Sequence, residues 1–197
     1  MKKDILISAA IGFLTGLFLI PTLKNNEITI PAQNLALLIG LPIISAIGMV
    51  AARIIGKYLR VVYQLGKFVL TGIFNASIDF GVLNILIAAT GLSAGMAYTG
   101  FKAASFIVAN INSYFWNRSW TFEGTGNSSG GYLKFLAVSI GGLIINVGVA
   151  SAVVNLINPT LGLDAKQWAN IGAACGSIAG LMWNFLGYKF IVFVSRK

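Results

Sequence analysis

Six stretches of this chain, roughly residues 5–23, 34–56, 67–90, 98–117, 133–157 and 168–188, are apolar with few charges. Each is close to the ~20 residues that a helix needs to cross ~30 Å of hydrocarbon. In lipid every backbone polar group must find an internal partner, so only helices and closed barrels span a bilayer. Barrel strands are short and alternate in polarity, whereas these runs are continuously apolar. The expected fold is therefore an all-α integral membrane protein with six transmembrane helices. Composition agrees: 57% of residues are hydrophobic, 10% are charged and the mean hydropathy is +0.84.

The net charge of +9 is distributed unevenly. With the N-terminus taken as cytoplasmic, the inner side holds Lys2, Lys3, Arg53, Lys57, Arg60, Lys67, Arg118, Lys134, Lys189, Arg196 and Lys197. The outer side holds Lys24, Lys102 and Lys166. Eleven cations against three follow the positive-inside rule. Both termini are thus expected in the cytoplasm, and the protein is expected to be multi-pass in the cytoplasmic membrane. Basic residues beside a membrane attract anionic headgroups, so the charge points to the lipid bilayer as a partner, and no nucleic acid is implied. Lys2, Lys3, Arg196 and Lys197 are read as orientation signals. The first run starts like a signal peptide, but it reaches Ile20 before Pro21 without a small-x-small cleavage site, so it is read as a retained helix.

The absence of histidine and the single cysteine, Cys175, rule out histidine zinc sites, Ser-His-Asp triads and intrachain disulfides. No metal site and no cofactor are expected. Of the carboxylates, Asp79 alone falls at membrane depth, and catalysis is not indicated.

Beyond residues 57–66 the chain repeats itself. Lys67-Phe68 and Lys134-Phe135 open corresponding apolar stretches. Asp79 and Asn146 follow twelve residues later, then Gly81 and Gly148. Residues 67–83 and 134–150 share six identities in 17 positions. Apolar segments match readily by chance, so the coincidence of the few polar positions carries more weight. The second member of each hairpin ends in a cation, Arg118 or Lys189. The last four helices thus read as two tandem, like-oriented hairpins, about 66–122 and 133–193. Residues 123–131, rich in glycine and serine, form a linker by composition. Two additional N-terminal helices, within 1–60, precede this part, and Pro42 is expected to kink the second. Glycines spaced by four, at 12 and 16 and at 172, 176 and 180, mark faces where helix backbones approach closely in lipid. Packing within one bundle explains them more simply than a homo-oligomer, which stays an open alternative. Trp116, Trp120, Trp183, Tyr132 and Tyr188 are expected to act chiefly as interfacial anchors.

Asp79 lies twelve residues, about 18 Å, along its helix from Lys67. A carboxylate at that depth costs at least ~2.5 kcal/mol, so a partner, water or a proton must offset it. It is a candidate for binding sugar hydroxyls or carrying a coupling proton; the plainer alternative is an interhelical hydrogen bond to Asn110, Asn112 or Asn146. Arg118 closes a polar helix end with Asn110, Asn112, Ser113 and Asn117, and its planar fork suits phosphate oxygens. If the repeats share an axis, Lys67, Lys134, Arg118 and Lys189 form a cationic mouth at the inner leaflet; general snorkelling is the alternative. Lys102 is expected to snorkel at the outer end of its helix.

The run Asn112-Ser113-Tyr114-Phe115-Trp116-Asn117-Arg118-Ser119-Trp120-Thr121-Phe122 resembles the signature of the GtrA-like membrane proteins. Lys67-Phe68, Asp79 and Asn184-x-x-x-Tyr188-Lys189-Phe190 strengthen the resemblance, which covers about 66–194. It makes 61–197 a GtrA-like four-helix domain. Members generally have four helices, so the first two here depart from the pattern. The resemblance implies a flippase moving a polyprenyl-phosphate-linked monosaccharide across the cytoplasmic membrane for cell-surface polysaccharide modification. A separate membrane glycosyltransferase is the implied partner. Substrate contacts are expected at Arg118, Lys189, Lys134, Lys67, Asp79, Asn146, Asn112, Asn110, Asn117 and Trp120. Gly72 and Gly141-Gly142 are expected to let helices bend or separate as a path opens. A non-transporting scaffold that recruits the glycosyltransferase through Arg53, Lys57 and Arg60 is the alternative. An exporter of cationic compounds ranks below both, because the inner cations would repel its cargo.

Overall fold

The structure is a computed structural model describing residues 2–121 and 129–187, except the side chains of residues 60, 61, 118, 129–133, 135 and 185–187. It is all-helical, with no strand among the described residues. The helices are α1 Lys2–Asn25, α2 Gln33–Gly56, α3 Arg60–Thr90, α4 Gly95–Trp116, α5 Ser129–Leu156 and α6 Ala165–Gly187. They coincide with the six apolar runs. Four segments are long and apolar enough to cross a membrane: α1, α2, Val62–Thr90 of α3 and Leu136–Leu156 of α5. The α4 helix forms where expected but carries Lys102, Asn110, Asn112 and Ser113.

Two π-helical segments interrupt the α-helical regularity. In α2 the segment Ala36–Gly40 lies directly before Pro42. Proline has no N–H and its ring clashes with the preceding turn, so the helix widens there, and the Leu41 N–H bonds Ala36 O. The expected distortion at Pro42 thus takes the form of a π turn. The second segment, Asn117–Thr121, extends α4.

The chain forms two compact units, Met1–Ile85 with Ile111–Thr125, and Leu86–Asn110 with Gly126–Lys197. In the first, α1 packs on α2 through its glycine face: a Cβ on Gly12 would meet Leu41 O at 2.6 Å, and one on Gly16 would strike Leu37 O. The α1 helix also runs parallel to α3. Asp4 meets Lys67 at one end, Phe18 meets Phe74 and Gly81 midway, and Asn25 donates to Asn84 at the other. Asn84 is fully buried, and its amide also reaches Thr22.

In the second unit α5 packs on α6. Cβ atoms on Gly172 and Gly176 would run into Val154, Ala150 and the Asn146 carbonyl. The glycine spacing therefore marks packing within the chain, as expected. A reciprocal capping box opens α6, Gln167 N–H to Asp164 Oδ1 at 2.7 Å and Asp164 N–H to Gln167 Oε1 at 3.1 Å. Gly141 and Gly142 face the Trp183 ring and the Asn184 amide closely, whereas Gly72 has open space around it.

The repeated glycines differ: Gly81 is pressed against Phe18, while Gly148 has nothing within 4 Å of a Cβ. Gly176→Leu is expected to lower stability by about 1–3 kcal/mol through overpacking. Gly148→Leu should leave it nearly unchanged. Thermal unfolding of both variants in detergent checks this.

Candidate functional site

The most constrained cluster of ionisable and aromatic groups gathers at Lys67, in the first unit. Lys67 lies two turns into α3 and is 3% exposed. Burying an ammonium costs several kcal/mol even after relaxation, so its surroundings must compensate. The Asp4 carboxylate, from the first turn of α1, lies 3.3 Å from Nζ. Nζ donates to the Trp120 carbonyl at 3.4 Å. It sits 4.8 Å from the Tyr63 ring centroid and 5.6 Å from that of Trp120. Cation–π contacts of this kind contribute about 0.5–2 kcal/mol each, too little alone to offset the burial. The carboxylate supplies the difference.

The π turn at the end of α4 explains how Trp120 reaches this place. Widening the helix re-phases the residues that follow, turning Trp120 and Thr121 inward to 4% and 3% exposure. Thr121 Oγ1 then lies 3.4 Å from Thr71 Oγ1, whose own hydroxyl bonds Lys67 O. The Trp120 indole N–H donates to Asp4 Oδ1 at 3.0 Å. Trp120 therefore differs from an exposed interfacial anchor: the residue is 4% exposed and its N–H is bound to a partly exposed carboxylate. The Tyr63 hydroxyl lies close enough to the same carboxylate to interact with it. An aromatic ladder, Phe18–Phe74–Trp116–Trp120 with centroids 6.0–6.4 Å apart, backs the cluster.

The other expected site residues divide between the two units. In the first, Asp79 is 5% exposed in the middle of α3. Asn112 donates to Asn75 and accepts from Trp116 Nε1 at 3.1 Å. Asn117 donates to Ser113 Oγ, while its Oδ1 is buried without a hydrogen-bond partner among the described residues. In the second unit Lys134 is exposed and Asn110 half-buried. Asn146 is 2% exposed, with Gly180 beside its amide and its Oδ1 unpaired among the described residues. The structure thus joins Lys67 to Trp120 in one contact set. The Arg118 side chain, Lys189, Tyr188 and Phe190 lie outside the described residues, and so does the Tyr132 side chain.

Lys102 departs from expectation. It is 0% exposed, on the inward face of α4 with Tyr98, Ser105 and Ala109. Snorkelling requires a side chain directed at lipid or water, and this helical phase directs it inward. Tyr98 of that face donates to Ala169 O at 2.9 Å. Sequence reasoning also missed Asp4, Tyr63, Asn75 and Asn84. Asp4 carried one usable signal, a carboxylate in the first turn of an otherwise apolar helix, yet a helix N-terminus explains that without a distant partner.

A family model described as GtrA/DPMS, transmembrane domain, matches residues 67–193. The chain belongs to this family. It is also 28% identical over 130 residues to "Uncharacterized membrane protein YngA" of Bacillus subtilis (strain 168), covering 66% of this chain and 78% of the relative. No solved structure matches it significantly. The chain is thus a multi-pass membrane protein of the GtrA family, and Lys67 is the first residue of the matched segment.

Asp4→Ala strands a buried ammonium and is expected to cost about 1–3 kcal/mol, the partial exposure of Asp4 moderating the loss. Lys67→Met should cost less, because the carboxylate keeps its Trp120 donor and some access to water. A double-mutant cycle on thermal stability should return a favourable coupling; strict additivity refutes the pair.

Proposed function

We propose that this protein is a flippase for a polyprenyl-phosphate-linked monosaccharide, serving cell-surface polysaccharide biosynthesis at the cytoplasmic membrane. Family membership over residues 67–193 supports a membrane protein related to sugar-lipid carriers. The observation that carries the reading further is Asp79, a carboxylate 5% exposed in the middle of an apolar helix. Ionisable groups at that depth are costly and mark substrate or proton paths. A purely structural role is met more cheaply by an asparagine, the residue that holds the corresponding place, Asn146, in the second repeat.

In this reading the lipid phosphate docks among the cations at the cytoplasmic helix ends. Arg118 grips it bidentately and Lys67 adds positive potential within the first unit, while Lys134 and Lys189 are the candidate phosphate contacts within the second. Trp120 and Asn117 flank Arg118 on the π turn. Sugar hydroxyls exchange hydrogen bonds with Asp79 and Asn112 in the first unit, while Asn110 and Asn146 are the candidates for such contacts within the second. The tail stays in lipid, so the polar path has to fit the headgroup alone. The work is binding and reorientation, and it needs no catalytic group or cofactor. A membrane glycosyltransferase supplies the lipid-linked sugar. The division into residues 1–60 and a GtrA-like domain at 61–197 belongs to the same proposal.

One observation favours the scaffold reading. Between α2 and α3, Lys57 is exposed, and Tyr58 and Leu59 are 87% and 61% exposed, a basic and apolar surface suited to a partner. The two readings separate on one variant. In liposomes carrying a polyprenyl-phosphate hexose, Asp79→Asn should reduce sugar appearance on the far leaflet at least tenfold while glycosyltransferase co-purification is unchanged. Arg118→Ala should act in the same direction. A wild-type rate equal to that of empty liposomes refutes transport.

A further inference from the structure

The groups around Lys67 form an anion site. A buried ammonium, an indole N–H and a tyrosine hydroxyl converge on one place, and in this structure a carboxylate of the chain itself occupies it. These donors suit a phosphoryl oxygen as well as a carboxylate oxygen, since ammonium and N–H groups bind either by charge-assisted hydrogen bonds.

Asp4 also borders a second cationic environment. A cavity of about 120 Å³ opens beside it, lined by Arg53, Lys57 and Tyr63 together with Ile5, Met49, Val50 and Ile54. The carboxylate is 20% exposed, whereas Lys67 is 3% exposed. The anion is therefore the more accessible member of the pair, and two further cations line the cavity that it borders. Turning the Asp4 side chain into this cavity, whose lining includes Arg53 and Lys57, would vacate the place beside Lys67 and Trp120. An element with two such positions would convert binding at one site into movement at another.

The geometry points to the following assignment: Lys67, Tyr63 and the Trp120 indole form a binding site for a phosphoryl anion, and Asp4 is its resting occupant, displaced to Arg53 and Lys57 when phosphate enters. The α1 helix thereby sets the threshold for loading. A ligand must offer more than the carboxylate does, which favours the higher charge and additional oxygens of a phosphate over a carboxylate or a neutral headgroup. The assignment deepens the transport reading and rests on it only for the origin of the phosphoryl group.

The test is equilibrium binding to the full-length protein in nanodiscs, with polyprenyl monophosphate in one arm and inorganic phosphate in the other. Asp4→Asn should tighten polyprenyl monophosphate binding about tenfold, because an amide competes poorly for an ammonium. Lys67→Gln should abolish that gain. Arg53→Gln/Lys57→Gln should weaken binding when Asp4 is present and leave it unchanged in the Asp4→Asn background, since the two cations receive the displaced carboxylate. A gain with both ligands assigns the phosphoryl group alone as the recognised chemistry; a gain with the lipid only assigns a lipid headgroup. Affinity of Asp4→Asn within twofold of wild type for both ligands overturns the proposal. So does a gain that survives Lys67→Gln, or an equal loss in both backgrounds from the Arg53 and Lys57 changes. Should Asp4→Asn fail to fold, as size-exclusion chromatography would show, the Arg53→Gln/Lys57→Gln variant carries the test: unchanged affinity overturns the proposal. Binding that behaves as stated beside an inert liposome assay would refute transport and leave this site standing.

Discussion

A charge taken out of water must be met by another charge, and the first unit is organised around that constraint at Lys67. The lysine is buried because α1 runs alongside α3. The Asp4 at the head of α1 then becomes the partner that makes the burial tolerable. The far end of the same helix pair is fixed by Asn25 and Asn84. Polar contacts at both ends set the register of two parallel helices, and Phe18, Phe74 and Gly81 fill the middle. Slippage by one residue would separate Asp4 from Lys67 and Asn25 from Asn84 together. Apolar packing in lipid lacks that selectivity, because a leucine face meets acyl tails about as well as it meets another helix.

Close backbone approach supplies the second kind of specificity. Gly12 and Gly16 admit α2 against α1, and Gly172 and Gly176 admit α5 against α6. The two repeats nevertheless do not use their matching glycines alike: Gly81 receives Phe18, and Gly148 faces open space. The difference follows from α1, which packs beside the first repeat's opening helix within its unit. The two repeats share burial of the polar positions 79 and 146, and they differ in the contacts made at their matching glycines.

Helix positions were legible because hydrocarbon thickness fixes run length, and Pro42 and the glycine spacings forecast local distortion and packing faces. The residues that were misread share one cause. Whether a polar side chain in a membrane helix points inward or outward depends on helical phase against neighbours that no local pattern names. Lys102 was placed at the lipid by its distance along the helix, whereas the face it shares with Tyr98, Ser105 and Ala109 turns it inward. Trp120 was assigned to the interface by residue type, but the π turn rotates it onto Asp4. The Asp4–Lys67 and Asp4–Trp120 contacts join residues 63 and 116 positions apart, and nothing in a single sequence ties a first-turn carboxylate to either. Asp79 shows the opposite case. Its burial was legible because a carboxylate in a long apolar run stands out wherever its partners lie.

The boundary of the family segment sharpens what α1 contributes. The match begins at Lys67, so the cation lies inside the family domain and its counter-anion, Asp4, lies outside it. A four-helix chain with the same lysine and no helix equivalent to α1 must leave that ammonium to water, to lipid phosphate or to some other anion. Here the place is filled from within the chain. The additional helices therefore change the electrostatic state of the domain's first cation and not only its packing. At the proposed phosphoryl site a ligand would meet a carboxylate already in place, so its entry would be an exchange between anions and not simple association with a free cation.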